Sequence, residues 1–136
     1  ISPKFAPRYY DEITAGIDIT ARDVQTRLSK SMLPWEISKG FDGSAPIGDF
    51  IPVSSAGDIR NLDFRLEIND LIVQQANTSD MIFGVDELIS YISQYFTLKT
   101  GGLIFTGTPS GVGPLRRNDN LVAWIGEKPL LDFLIK

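Results

Sequence analysis

Four polar side chains early in the sequence have types and spacing that suit one kind of chemistry. Asp18 lies at the end of an apolar, β-branched run, Ile13 to Ile19, that reads as a strand. Arg22 and Gln25 follow three residues apart, so on a helix both project from one face close to that strand end. Lys39 comes next, just ahead of Gly40. A carboxylate, a guanidinium and an amide converging there, with an ammonium to join them, would suit a carboxylate-bearing substrate beside a hard cation. Asp18 would serve as an oxygen ligand and Arg22 as a two-pronged carboxylate clamp. Spacing alone favours the commoner arrangement: a salt bridge at a helix entry, on a solvated face.

A second candidate is the loop Thr106-Gly107-Thr108-Pro109-Ser110-Gly111-Val112-Gly113-Pro114. Its glycines let backbone N–H groups approach an anion. It lacks the Gly-Lys-Ser/Thr ending of a phosphate-binding P-loop, and no helix follows as a dinucleotide fingerprint requires. By itself it reads as a strand connection. Trp35, four residues before Lys39, reads by itself as a core residue rather than a binding platform.

Composition limits the remaining chemistry. There is no cysteine and no histidine, which removes thiol nucleophiles, disulfides, thiolate zinc sites and Ser-His or Cys-His catalysis from within these residues. Carboxylate, Lys, Arg and Thr chemistry is left. The net charge is −4 and the basic residues are scattered, so nucleic acid is not an expected partner. No run approaches the roughly 18 apolar residues of a membrane span, and no membrane partner is expected. A length of 136 residues with 43% hydrophobic and 22% charged content fits one folded domain. Cytoplasm is the default location.

The elements that must position these side chains follow from periodicity. Thr20-Ala21-Arg22-Asp23 resembles a capping box, with Thr20 as N-cap, and predicts a helix from about Ala21 to about Lys30, before Pro34. Phe64, Leu66 and Ile68 alternate with polar neighbours, Asn69-Asp70 supplies a turn, and Leu71 to Gln75 returns, which predicts a hairpin. Val85, Leu88, Ile89, Ile92 and Phe96 recur at helical spacing behind the acidic opening Asp86-Glu87. Leu103 to Phe105 reads as a buried strand, and Leu121 to Ile125 with Leu130 to Ile135 as a last hairpin around Gly126-Glu127. The fold class expected is α+β, mainly β, with two short helices.

Taken in order, these segments resemble the fumarylacetoacetate hydrolase family. Ile17 to Gln25 is similar to its strand-to-helix motif, and Lys39-Gly40-Phe41-Asp42 with Ala45-Pro46-Ile47-Gly48 to its lysine segment. Met81-Ile82-Phe83 with Glu87 to Ser93 resembles its helix, and Thr106-Gly107-Thr108-Pro109 with Gly111-Val112-Gly113 its signature loop. The resemblance runs from about Tyr10 onward and is nearest the acylpyruvase and 2-hydroxyhepta-2,4-diene-1,7-dioate isomerase branch. It implies a mixed β-roll, usually dimeric, so a homodimer is expected. It implies Asp18 as a ligand of Mg²⁺ or Mn²⁺ (Ca²⁺ in some members). It further implies that Arg22, Gln25 and Lys39 line the pocket, with catalytic roles, and that Thr108 contacts the substrate carboxylate.

The implied substrate is a small 2-oxo acid. The leading reaction is hydrolysis of a C–C bond in an acylpyruvate-like 2,4-dioxo acid. The alternatives are isomerisation of a 2-hydroxy-diene-dioate, decarboxylation of oxaloacetate, or a non-catalytic β-roll module. The family's Glu-x-Glu metal pair and His-x-x-Glu lid have no counterpart here, and adjacent Asp11-Glu12 would point to opposite faces of a strand. Residues 1–136 are therefore expected to be the C-terminal portion of one catalytic domain. The further ligands and the lid are expected on an upstream segment. Gly102 departs from the family's usual Asp, at a turn outside the site.

Overall fold

Along the chain come β1 (Glu12–Ile13), α1 (Arg22–Lys30), α2 (Glu36–Lys39), β2 (Ile51–Pro52), α3 (Val53–Ala56), β3 (Asp63–Ile68), β4 (Leu71–Asn77), α4 (Val85–Ile92), β5 (Asn120–Ile125) and β6 (Lys128–Leu134), with 3-10 turns at Pro3–Arg8 and Thr78–Asp80. The computed structural model describes all residues, Ile1–Lys136. Two units divide it: Gly16–Ile47, and Ile1–Ala15 together with Gly48–Lys136. The class is α+β and mainly β, as expected. Only α1 and α4 are α-helices longer than four residues, which accounts for the two helices read from the sequence. No helix is long and apolar enough to cross a membrane.

The larger unit is built on the two hairpins. Its four-stranded sheet runs in the order β4-β3-β5-β6, every pairing antiparallel. Leu66 lies opposite Ala123 and Ile68 opposite Leu121, so the alternating apolar residues of β3 meet those of β5. Leu121 is wholly buried, and Ala123 and Leu130 nearly so. Truncating a buried leucine of this kind to alanine costs about 2–5 kcal/mol. The turn between β3 and β4 holds Asn69 at φ 52° and Asp70 at φ 64°. Two successive left-handed residues are what the twist of a tight two-residue hairpin demands, and Asn and Asp tolerate it best. Asn69 then does a second job. Its amide donates to Asp119 Oδ1 at 2.9 Å and its carbonyl oxygen accepts from Asn120 N–H at 2.9 Å, tying the turn to the start of β5. That amide, with the Arg116 N–H, holds the Asp119 carboxyl below the usual carboxylate range.

Helix α4 opens with Glu87 accepting from the Gly84 N–H at 3.0 Å, half of a capping arrangement favoured by the helix dipole. It buries Ile89. The Tyr10 hydroxyl donates to Asp86 Oδ1 at 2.9 Å, and burial, followed by the Asp86 carboxylate, pushes that phenol up to about 12. On the sheet, the Arg65 guanidinium lies 4.2 Å from the centre of the Trp124 ring while donating to Glu67 Oε1 at 2.8 Å.

Three expectations are corrected. Leu103 to Phe105 forms no strand, and Leu103 and Phe105 are about half exposed rather than buried. A strand needs a partner backbone, and none is paired there. Phe96 lies beyond the end of α4 and is also exposed. Thr20 is not the N-cap of α1: Ala21 holds that position, with no side chain bonded to the helix N–H groups. The helix nevertheless starts at Arg22 and ends at Lys30, within one residue of the expected bounds.

Candidate functional site

The smaller unit, Gly16–Ile47, contains Asp18, Arg22, Gln25 and Lys39. Its framework is a backbone ladder. Gly16 bridges to Ile47, and the Ile17, Ile19 and Ala21 N–H groups donate to Pro46 O, Ser44 O and Ser38 O at 3.0, 2.8 and 3.0 Å. Every second residue therefore bonds along the ladder, as in an extended strand. Residues two apart share a face in such a segment, so Asp18 and Thr20 lie on the same side.

Lys39 meets both of them. Its Nζ donates to Asp18 Oδ2 at 2.6 Å and to Thr20 Oγ1 at 2.7 Å. The residue before it fixes where this ammonium stands. Ser38 is fully buried, its hydroxyl donating to Trp35 O at 2.5 Å and its carbonyl accepting from Ala21 N–H. The single turn of α2 closes with Gly40 N–H on Glu36 O at 2.7 Å. Lys39 and Asp18 keep 36% and 44% of their side-chain surface exposed, so this is a bridge open to an incoming ligand.

Helix α1 supplies the second pair. Arg22 Nη1 donates to Gln25 Oε1 at 2.6 Å, the same-face contact expected from a three-residue spacing. One guanidinium donor is thereby used and the others are left for a carboxylate. The helix stops in a Schellman arrangement: Leu33 N–H donates to Leu28 O at 3.0 Å and Met32 N–H to Ser29 O at 3.1 Å. Met32 takes the left-handed position, φ 51°, that glycine usually fills. A shallow groove beside α1 includes Arg22, Asp23 and Thr26, but neither Asp18 nor Lys39 lines it.

Thr108 belongs to the larger unit, exposed on its loop. Its hydroxyl oxygen accepts from Gln74 Nε2 at 3.2 Å, and the same amide donates to Pro109 O at 3.0 Å. Trp35 is half exposed, not a core residue.

Two of these partners were not foreseen. Thr20, expected as a helix cap, instead accepts from Lys39 Nζ through its hydroxyl. The signal was available, since Thr20 lies two residues from Asp18 in an extended run. Gln74 carried no signal beyond being a polar residue in a strand.

As a cation site the donor set is thin. Asp18 is the single carboxylate beside Lys39, one of its oxygens is already engaged, and no group of three or more Asp, Glu, His or Cys side chains is placed to hold a metal ion. Hard divalent cations take about six oxygens. These residues do not make up such a site by themselves. Asp18 is at most one arm of one.

The family model for the fumarylacetoacetate (FAA) hydrolase C-terminal region matches residues 1–132. An oxaloacetate tautomerase, mitochondrial, from Bos taurus is 44% identical over 125 residues, 92% of this chain and 57% of the relative. An oxaloacetate decarboxylase, mitochondrial, from Dictyostelium discoideum is 44% identical over 116 residues, 85% of this chain and 53% of the relative. The crystal structure of fumarylpyruvate hydrolase from Pseudomonas aeruginosa in complex with Mn²⁺ and pyruvate superposes with a TM-score of 0.89 at 34% identity, covering 100% of this chain and 59% of that one. The chain spans about half the length of the curated relatives it matches.

Proposed function

This chain belongs to the fumarylacetoacetate hydrolase family, and from that premise we propose that it carries the substrate-holding residues of an enzyme acting on enolisable small 2-oxo acids. The favoured reaction is keto–enol tautomerisation of oxaloacetate. One observation carries the reading: the Lys39 ammonium held at 2.6 Å from Asp18 and 2.7 Å from Thr20, its side chain 36% exposed, in the unit that also holds the Arg22–Gln25 pair. The relatives named above act on oxaloacetate or fumarylpyruvate, all 2-oxo acids, and the decisive species in each chemistry is an enol or enolate. Tautomerisation is preferred over decarboxylation because the likeness to the tautomerase, 44% over 92% of this chain, extends further than the equal 44% over 85% to the decarboxylase.

In this reading Arg22 grips a substrate carboxylate through two parallel N–H donors, while Gln25 Oε1 holds the remaining edge of the guanidinium in place. Lys39 presents positive charge to the C2 oxygen. As a C3–H bond breaks, its proton passing to a base supplied from outside these residues, negative charge grows on that oxygen; a fixed ammonium favours this state over the neutral ketone. The oxygen then takes up a proton, so the reaction is a net isomerisation without redox change. Asp18 and Thr20 keep the ammonium aimed, and Thr108 is assigned to a substrate carboxylate. A divalent cation, Mg²⁺ or Mn²⁺ with Ca²⁺ as a further candidate, is the proposed cofactor. When bound it would supply Lewis acidity at the 2-oxo group. Asp18 would give it one oxygen, with the rest coming from outside these residues.

The second reading is hydrolysis of a C–C bond in an acylpyruvate, favoured by the likeness to fumarylpyruvate hydrolase. The test is to incubate the full-length polypeptide, with Mg²⁺ and then Mn²⁺, with oxaloacetate, an acylpyruvate and a 2-hydroxy-diene diacid. Enol–keto interconversion of oxaloacetate is expected to be the fastest reaction. Preferential acylpyruvate cleavage would install the second reading, and inertness toward all three would overturn both.

A further inference from the structure

A loop that receives an anion must turn its carbonyl oxygens away and its donors outward. The Thr106–Pro114 loop has a device for this, and it is Gln74 on β4. The Gln74 amide nitrogen faces three oxygens: Pro109 O at 3.0 Å, Thr108 Oγ1 at 3.2 Å and Ser110 O at 3.4 Å. Two of these are carbonyls, which only accept, so the side chain must present its NH₂ and not its oxygen. The loop backbone comes close to β4 here: Gly111, at φ 98°, lies so near Val73 O that a Cβ could not be accommodated. The hydroxyl of Thr108 has one proton and two lone pairs. With an N–H donated into one lone pair, that proton is free to point away from Gln74. The exposed side of Thr108 thus becomes a donor, while the neighbouring carbonyls are drawn down onto the amide.

We propose that Gln74 is a positioning residue that sets the Thr108 hydroxyl as a hydrogen-bond donor to a substrate carboxylate. The inference rests on the reading of Thr108 as a carboxylate contact and adds the group that makes it one. Gln74→Glu has the same shape but only accepts, so the Thr108 proton would turn inward. Gln74→Met keeps the length without hydrogen bonding.

In the full-length polypeptide, KM for oxaloacetate and the calorimetric affinities for oxaloacetate and pyruvate are measured for Gln74→Glu, Gln74→Met, Thr108→Val and the Gln74→Met/Thr108→Val pair. Thr108→Val and both Gln74 variants are expected to weaken oxaloacetate binding about tenfold to a hundredfold, with kcat changed far less. The double variant is expected to be no weaker than Thr108→Val alone, because both act through one hydroxyl. A melting temperature that falls while affinity holds would mark Gln74 as merely structural and overturn the proposal. Additive losses in the double variant would also overturn it, leaving Thr108 as a contact in its own right. Unchanged affinity in Thr108→Val, or no binding of either probe by the unaltered protein, would remove the carboxylate-contact reading and this inference together.

Discussion

Replacing Lys39 with methionine separates a functional lysine from a surface ion pair, because the structure sets different magnitudes for the two. The substitution keeps most of the aliphatic stem and deletes an ammonium that holds Asp18 at 2.6 Å and Thr20 at 2.7 Å. For stability the loss is small. Asp18 retains 44% of its side-chain surface in solvent, so the orphaned carboxylate is hydrated rather than buried and unpaired. Exposed pairs of this kind are worth about 0–1 kcal/mol. In a domain near this size that moves the melting temperature by a few degrees at most. For activity the loss is larger. Removing a charged donor from a developing enolate costs about 1.5–3 kcal/mol, a tenfold to hundredfold drop in rate. The assay pairs thermal melts with ultraviolet detection of oxaloacetate enol decay in the full-length polypeptide. Lys39→Arg is the control: it restores charge but replaces a compact ammonium with a flat fork, so it is expected to recover stability and little activity. Unaltered turnover in Lys39→Met would refute the reasoning. So would a melting temperature lowered by ten degrees or more, because the bridge would then be a structural tie.

Met32→Gly is expected to stabilise the protein by about 1 kcal/mol, read from denaturant melts, because the residue ends α1 at φ 51° with 93% of its surface exposed and only its backbone matters. Gly111→Ala is expected to lower the melting temperature sharply, since the left-handed φ of 98° alone costs about 1–2 kcal/mol and the new methyl would press on Val73 O. Tyr10 contributes stability that is fully present below pH 10 and is lost as pH rises toward about 12, the level to which burial and Asp86 push its phenol. Tyr10→Phe should flatten that alkaline limb in pH-dependent melts, by a modest amount because the hydroxyl is only half buried. Asp119, held below the usual carboxylate range by Asn69, contributes stability that is present above pH 3.8 and lost as pH falls through its lowered value, so Asp119→Asn should reduce acid sensitivity below pH 4.

The elements legible in the sequence were those whose signal lies within a few residues. Alternation in β3, the Asn69-Asp70 turn and the helical spacing of α1 and α4 all depend on neighbours. The unforeseen elements are the short ones: α2, α3, the two 3-10 turns and the two-residue strand β2. Such segments are set by which backbone groups need a partner after the longer elements have been placed. Leu103, Phe105 and Phe96 show a different limit. Apolar character says that a side chain gains from leaving water, not that its cover lies among these residues. All three remain about half exposed or more, in a chain spanning about half the length of its relatives.

The same distinction divides the site. The Arg22–Gln25 contact was legible because three residues along a helix bring side chains onto one face. The Asp18–Lys39 bridge, 21 residues apart, was legible only through the order of motifs, since no local rule carries a lysine that far. What the structure adds is the reason it forms. The ladder from Ile17 to Ala21 puts Asp18 and Thr20 on one face, and buried Ser38, bonded by its carbonyl to Ala21, delivers the adjacent Lys39 to that face. A substitution at Ser38 should therefore disturb Lys39 without touching it. Ser38→Val, which removes the hydroxyl bond to Trp35 O and crowds a fully buried position, is expected to lower both the melting temperature and the rate. Lys39→Met should lower the rate almost alone. If Ser38→Val lowered the melting temperature while the rate of the folded fraction stayed unchanged, the ladder would not be what aims the ammonium.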